Sequence, residues 1–282
     1  MTKTLFTNGC SWTYGGGLDT PDTKEHITHL HDNIVWPAHV KRLMNFDEQV
    51  NLAEGCGSNQ RICRTTFDWV MQQDADTLKN TTAIIQWSHE DRYEYYLPTD
   101  EEANDFQKRY QISPATIQDI HNSQVMSDRT YSITRNLDRW PKVNPHGVVS
   151  PLENQHLNNI VKKGMGRYET YTDQQGMMDW LFHMGFLYDL LTSKGVEVYF
   201  WYFTQYVQAM PKEIQDYMYE RFPMLGGEEP DSEGGIRRYH FWNYDRISPE
   251  DPHPDALGHE QLANHIVNSI AKKIAFLRTP RV

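Results

Sequence analysis

The sequence predicts an α/β protein: a mostly parallel sheet of about five strands with helices on both faces, a three-layer α/β/α sandwich. Three observations carry this. Short apolar runs at residues 4–7, 49–53, 82–87 and 196–203 alternate with stretches of helical periodicity. Turn-forming residues follow the first two runs, Asn8-Gly9 after one and Glu54-Gly55-Cys56-Gly57-Ser58-Asn59 after the other. The run at 82–87 (TAIIQW) is apolar enough to be buried on both faces, as an inner strand of a parallel sheet is.

Taken in order, residues 4–7 form a strand entering a tight turn at Asn8-Gly9, which leaves Ser11 just beyond a strand end. Ile34, Val35, Ala38, Leu43 and Met44 recur at helical spacing over about 34–46, where Pro37 suits only a first turn. The second strand, at 49–53, leads through its glycine-bearing turn into a helix over about 60–73. After the third strand, residues of about 97–168 are polar, rich in Asn, Gln, Asp and His, and show no clear strand; they read as an inserted helical or irregular cap. Met177, Trp180, Leu181, Met184, Leu187, Leu190 and Leu191 make one apolar stripe on a helix over about 171–193, stopped by Gly195. A strand at 196–203 follows. Residues 210–238, with their LGGEEPDSEGG stretch, read as a mobile surface loop, and a last helix runs over about 257–276. No Pro/Ser linker or internal repeat divides the chain, so 1–282 is read as a single domain carrying the 97–168 insertion.

A length of 282 residues with 38% hydrophobic and 23% charged residues is enough to bury a substantial core. The mean hydropathy of −0.72 and the lack of any apolar run near the ~20 residues a bilayer requires argue against a membrane partner. The first ten residues carry one lysine and a two-residue apolar patch, too short for a secretory signal. Three cysteines make no disulfide framework, so Cys10, Cys56 and Cys63 are expected as reduced thiols in a cytoplasmic protein. A net charge of −11 with scattered lysines and arginines sets nucleic acid aside. The 16 tyrosines and 8 tryptophans are assigned to the core and to subunit contacts, as in a homo-oligomer, before sugar-stacking loops.

Two short motifs at opposite ends carry the chemistry: TNGCSWT at 7–13 and DPHPDALGH at 251–259. Together they supply a nucleophile, a general base and an orienting acid. Ser11 follows a strand in the position where open α/β sheets bind ligands, although a serine there also suits a helix N-cap. His253, between Pro252 and Pro254, stands on a stiff turn before a helix, which suits a base that must be aimed. A charged loop that merely caps that helix is the bland alternative. Gly57, or Gly55 two residues earlier, offers a backbone N–H free of side-chain obstruction. His26, His29 and His31 have the look of a metal patch but read as solvated imidazoles. No phosphate-cradling or dinucleotide-binding glycine motif is present, so neither metal nor cofactor is expected. The YGGG turn at 14–17 reads as a flexible edge of the cleft.

In the order of these motifs the chain resembles the SGNH (GDSL-like) hydrolases: a G-x-S turn after the first strand, a glycine turn after the second, a loop after the third, and a terminal D-x-H-P before a helix. The wordings GCSWTYG and NLAEGCGSN are most similar to divergent members from phage and bacterial genomes. The resemblance implies a flavodoxin-like sheet with Ser11 as nucleophile and His253 as base. Asp251 is the favoured acid, with Glu250, three residues before the histidine, as the substitute. Gly57 and the Ser11 amide would form the oxyanion hole, with Asn59 a further polar candidate. The third motif departs from the family, since Trp87-Ser88-His89-Glu90-Asp91-Arg92 puts Glu90 where the family has an oxyanion-donating asparagine. An ionised glutamate only accepts hydrogen bonds, so Ser88, His89 or Arg92 would have to replace the donor. The implied activity is hydrolysis of a small or carbohydrate O-acyl ester. The alternative is an inactive binding or structural protein of the same fold, such as a component associated with a virion.

Overall fold

The structure, a computed structural model, describes residues 2–18, 33–55, 57–88, 92–94, 142–144, 147–148, 173–202, 211–225, 228–230, 236–238, 245–248, 251 and 253–278. Strand β1 (Thr4–Asn8) leads directly into α1 (Ser11–Tyr14), then α2 (Trp36–Leu43), β2 (Glu48–Asn51), α3 (Asn59–Gln72), α4 (Ala75–Lys79) and β3 (Thr81–Trp87). Short strands β4 (Tyr93–Glu94), β5 (Lys142–Asn144) and β6 (Gly147–Val148) precede α5 (Asp173–Ser193) and β7 (Glu197–Tyr202). The order closes with α6 (Lys212–Arg221), β8 (Glu228–Pro230), β9 (Ile236–Arg238) and α7 (Ala256–Arg278).

The main sheet has the order β2-β1-β3-β7 and every pairing in it is parallel. Because strand side chains alternate, each inner strand feeds two cores. Phe6, Ala83, Ile85, Trp87, Val198 and Phe200 meet Ile62 and Trp69 of α3, Trp180, Met184 and Leu187 of α5, and Met218 of α6. On the other face Leu5, Ile84, Tyr199 and Trp201 meet Trp36 and Val40 of α2 and Leu262, Ala263 and Ile266 of α7. Helices therefore cover both faces, and all six tryptophans among the described residues are buried, in keeping with their assignment to the core.

Of the five strands expected, four form the described sheet. A fifth position exists as a single parallel bridge between Phe200 and Met224, with Phe200 N–H donating to Pro223 O at 3.1 Å and Leu225 N–H to Phe200 O at 2.6 Å. Over 211–225 this corrects the reading of 210–238 as a mobile loop. Residues 212–221 are helical, and Met218, Phe222, Met224 and Leu225 are buried, because an i, i+4 pair ahead of a proline supplies a core face that glycines further on had masked. The proposed cap lies mostly outside the described residues. Where it is described, it is strand and not the helical or irregular structure expected: β5 pairs antiparallel with β4, and β6 with β5.

Gly195 does stop α5, with φ +83°. Pro37 falls in the first turn of α2, and Ser58 caps α3 by accepting from Arg61 N–H at 3.0 Å. The sheet order reverses between β1 and β3, so the crevice beyond their carboxyl ends is the topological switch point where ligands of open α/β sheets bind.

Candidate active site

Ser11 is the first residue of α1, immediately past β1, and is 8% exposed. The cap position of that short helix belongs to Cys10, which makes no side-chain cap bond. Ser11 does not act as the cap; its Oγ lies 2.8 Å from His253 Nε2, 242 residues away in sequence.

His253 is held by a small folded loop. Ile247 N–H donates to His253 O at 3.0 Å, Arg246 bridges Pro254, and Asp255 N–H donates to Asp245 O at 3.1 Å. Asp255 then caps α7 by accepting from Gly258 N–H at 2.8 Å. The capping role foreseen as an alternative for this loop thus exists, but Asp255 fills it and leaves Asp251 for the imidazole. Asp251 Oδ1 is 2.5 Å from His253 Nδ1 and also accepts from His253 N–H at 3.0 Å. A spacing of two residues makes both bonds available to one oxygen, as an Asx turn whose second acceptance is the ring. Asp251 N–H in turn donates to Ser248 Oγ at 3.0 Å. Glu250 lies outside the described residues.

Burial pushes the Asp251 carboxyl up, but the hydrogen bonds from the His253 N–H and imidazole and the charge of His253 outweigh it and hold the group below the usual carboxylate range. An ionised carboxylate only accepts, so Nδ1 must carry the proton; in the neutral ring Nε2 is then the acceptor for the Ser11 hydroxyl. That is the tautomer a general base requires. The indole of Trp12, 2% exposed, lies tilted beside the imidazole at 6.3 Å between centroids.

Gly16 and Gly17 are closely fitted against the site, where the sequence suggested a flexible edge. Gly15 and Gly17 have φ of +94° and +82°. A Cβ on Gly16 would stand 2.9 Å from Ser11 Cβ and 3.3 Å from His253 Nε2, and one on Gly17 would stand 2.8 Å from Asp251 Oδ2 and collide with Ile247 Cδ1. This contact was missed because nothing local to a YGGG turn reveals what will pack on it; three successive glycines were the available signal.

The remaining candidates are placed differently. Gly57 is buried beside Gly9 O, where a Cβ would approach to 3.1 Å, but its N–H donates to Glu54 O at 3.1 Å within its own turn. Asn59 is buried and clamps the end of β3: its Nδ2 donates to Ser88 O at 3.2 Å and its Oδ1 accepts from Ser88 N–H at 2.8 Å. Ser88 Oγ accepts from Arg92 Nη1 at 3.0 Å. These three surround the carboxyl end of β3, next to the strand that delivers Ser11. His89, Glu90 and the triplet His26, His29 and His31 lie outside the described residues. Among the described residues no group of three or more His, Cys, Asp or Glu is placed to hold a metal ion. No described helix is long and apolar enough to cross a membrane.

Residues 18–139, less than half of the chain, match the sequence model of a family described as "Family of unknown function (DUF6071)". No curated protein matches the chain in sequence. Among solved structures it is similar to TesA at 12% identity and a TM-score of 0.38, over 96% of this chain and 99% of that one. It is similar to a carbohydrate esterase whose active site is described as displaying divergent catalytic and non-catalytic binding functions, at 10% identity and a TM-score of 0.41, over 96% and 68% of the two chains. A third is the YxiM protein of Bacillus subtilis, at 9% identity and a TM-score of 0.34, over 97% of this chain and 57% of that chain. TM-scores below 0.5 carry no argument about this chain, so the functional reading rests on its own geometry.

Proposed function

We propose that the protein is a serine hydrolase of the SGNH type that cleaves a small or carbohydrate O-acyl ester. The observation that carries this reading is the relay from Ser11 Oγ through His253 Nε2 and Nδ1 to Asp251 Oδ1, with links of 2.8 and 2.5 Å. Ser11 Oγ attacks the ester carbonyl while its proton passes to His253 Nε2. Asp251 stabilises the imidazolium that results. Collapse of the tetrahedral intermediate expels the alcohol, which takes that proton and leaves an acyl-serine. Water then attacks the acyl group, His253 removes its proton, and the carboxylic acid departs as Ser11 is reprotonated. The Ser11 amide, at the start of a helix, lacks an intrahelical acceptor and serves the oxyanion. Gly57 N–H joins it only if its turn to Glu54 O opens.

The test is hydrolysis of p-nitrophenyl acetate and of an acetylated sugar by wild type and Ser11→Ala at matched purity. Turnover by wild type and a loss of about 10³-fold or more in the variant are expected. Equal, near-background rates for both would sink the reading.

One observation favours a second reading, a non-hydrolytic binding or structural protein, as in a phage particle. The Gly57 amide is committed to Glu54 O and one Asn59 amide proton to Ser88 O, which leaves the oxyanion poorly served. Under that reading a fluorophosphonate leaves Ser11 unlabelled while the protein co-purifies with a partner or with carbohydrate.

A further inference from the structure

The turn that carries Ser11 is fastened to the inner strand β3 by one buried amide. The alternation that points Ile84 of β3 toward α2 and α7 points Gln86 the same way, at the strand's carboxyl end. Gln86 is fully buried, and both of its polar atoms are engaged. Its Oε1 accepts a short hydrogen bond from Thr13 Oγ1, and its Nε2 donates to Cys10 Sγ at 3.1 Å. These partners flank the nucleophile on either side. Gly9 completes the fit, because a Cβ there would stand 2.7 Å from Gln86 Oε1 and 2.8 Å from Gln86 Cβ. From β2, Asn51 Nδ2 donates to Thr13 O at 3.1 Å.

A four-residue helix is too short to hold its own direction, and α1 has no side-chain cap at its start. The direction of Ser11 must therefore come from what grips Cys10 and Thr13. Both grips on these side chains come from the same residue. Apolar packing would fill the volume without fixing an angle, whereas two hydrogen bonds from a rigid strand fix one.

We propose that Gln86 is a positioning residue for the nucleophile: through Thr13 and Cys10 it holds the Ser11 turn so that Oγ stays on His253 Nε2. This inference rests on the reading of Ser11 as nucleophile. Displacing a reacting group by 1 Å can cost on the order of 10²-fold in rate, so the effect is measurable even if the fold survives.

The experiment measures the rate constant for phosphonylation of Ser11 by a fluorophosphonate, normalised to final labelling, together with the urea midpoint. In that reaction Ser11 Oγ bonds to phosphorus, fluoride leaves and the serine proton passes to His253. Wild type, Gln86→Met, Thr13→Val and Thr13→Ser are compared. Gln86→Met and Thr13→Val are expected to reach full labelling about 10- to 100-fold more slowly, and Thr13→Ser, which keeps the donor, to return toward the wild-type rate. If Gln86→Met does not fold, the Thr13→Val and Thr13→Ser pair decides alone. Wild-type labelling rates in Gln86→Met and Thr13→Val would overturn the proposal, even with lowered urea midpoints, and would leave the nucleophile reading intact. A wild-type protein unlabelled at Ser11 would remove that reading and this inference with it.

Discussion

Replacing Gly17 by alanine tests whether the glycine turn is part of the site's framework. At φ +82° an L side chain costs roughly 1–2 kcal/mol in backbone strain before any contact is counted. The added methyl would collide with Ile247 Cδ1, the mobile end of a side chain, which can swing aside. It would also stand 2.8 Å from Asp251 Oδ2, about 0.6 Å short of ordinary contact. That carboxylate has little freedom to give, since its other oxygen accepts from the His253 imidazole and from the His253 N–H. Any movement of the carboxylate stretches the 2.5 Å link or turns the ring away from Ser11. A fall in Tm of about 2–8 °C follows from the strain, given about 2–4 °C per kcal/mol for larger domains. A drop of about 10- to 100-fold in kcat is expected from the misdirected imidazole, with KM little changed. Calorimetry and steady-state ester hydrolysis measure the two effects. The control is Gly185→Ala in the middle of α5, where among the described residues the new methyl meets only Phe222 Cζ at 4.0 Å and stability should rise by about 0.5–1 kcal/mol. A Gly17→Ala protein with wild-type Tm and kcat would refute the reasoning.

Asp251→Asn should lower kcat by about 10⁴-fold, because the amide no longer enforces the productive tautomer. Its pH dependence has a definite sign. The folded carboxyl titrates below its ordinary 3.8, so the unfolded chain binds more protons there and stability rises with pH. The carboxylate's stabilisation is thus fully present above 3.8 and is lost as pH falls through the folded value, and urea midpoints of wild type and Asp251→Asn should converge only in that acid range. The difference will be small, since the Asp251 side chain is 36% exposed; a gap that widened toward acid would contradict the assignment. Asn8→Leu should destabilise by about 2 kcal/mol or more, because buried Asn8 accepts from Gly9 N–H at 2.8 Å and reaches Thr65 Oγ1 and Thr66 Oγ1 at 2.8 and 2.9 Å. A urea-derived loss under about 0.5 kcal/mol would show these bonds to be dispensable. Burial pushes the Cys63 thiol up to about 12. Its thiolate fraction at pH 8 is therefore about 10⁻⁴, and iodoacetamide should leave the Cys63 peptide unmodified in native protein but not in urea.

Much of the fold was legible because its signals are local. Continuous apolar runs in β1, β3 and β7, Pro37 in a first turn and Gly195 after a helix each constrain the few residues around them. The helix at 212–221 was hidden by the glycines that follow it, since turn composition and a short amphipathic face compete within one window and only burial against Phe200 decides between them. The antiparallel pairing of β4 with β5 was illegible for another reason: its partners stand about 50 residues apart, and two- and three-residue strands show no period.

The candidate site divides along the same line. The candidate side chains could be named from local pattern: a serine past a strand end and a histidine between prolines with an acid two residues before it. Their meeting is a matter of packing: Ser11 reaches His253, Asp251 bonds the imidazole while Asp255 caps the helix, and Gly57's amide is turned to Glu54. Packing alone placed Gly16 and Gly17 against Ser11, His253 and Asp251, and Gln86 in hydrogen bonds to Thr13 and Cys10. Identity and spacing are properties of neighbouring residues, whereas a hydrogen bond spanning 242 residues depends on where the whole sheet carries its strand ends.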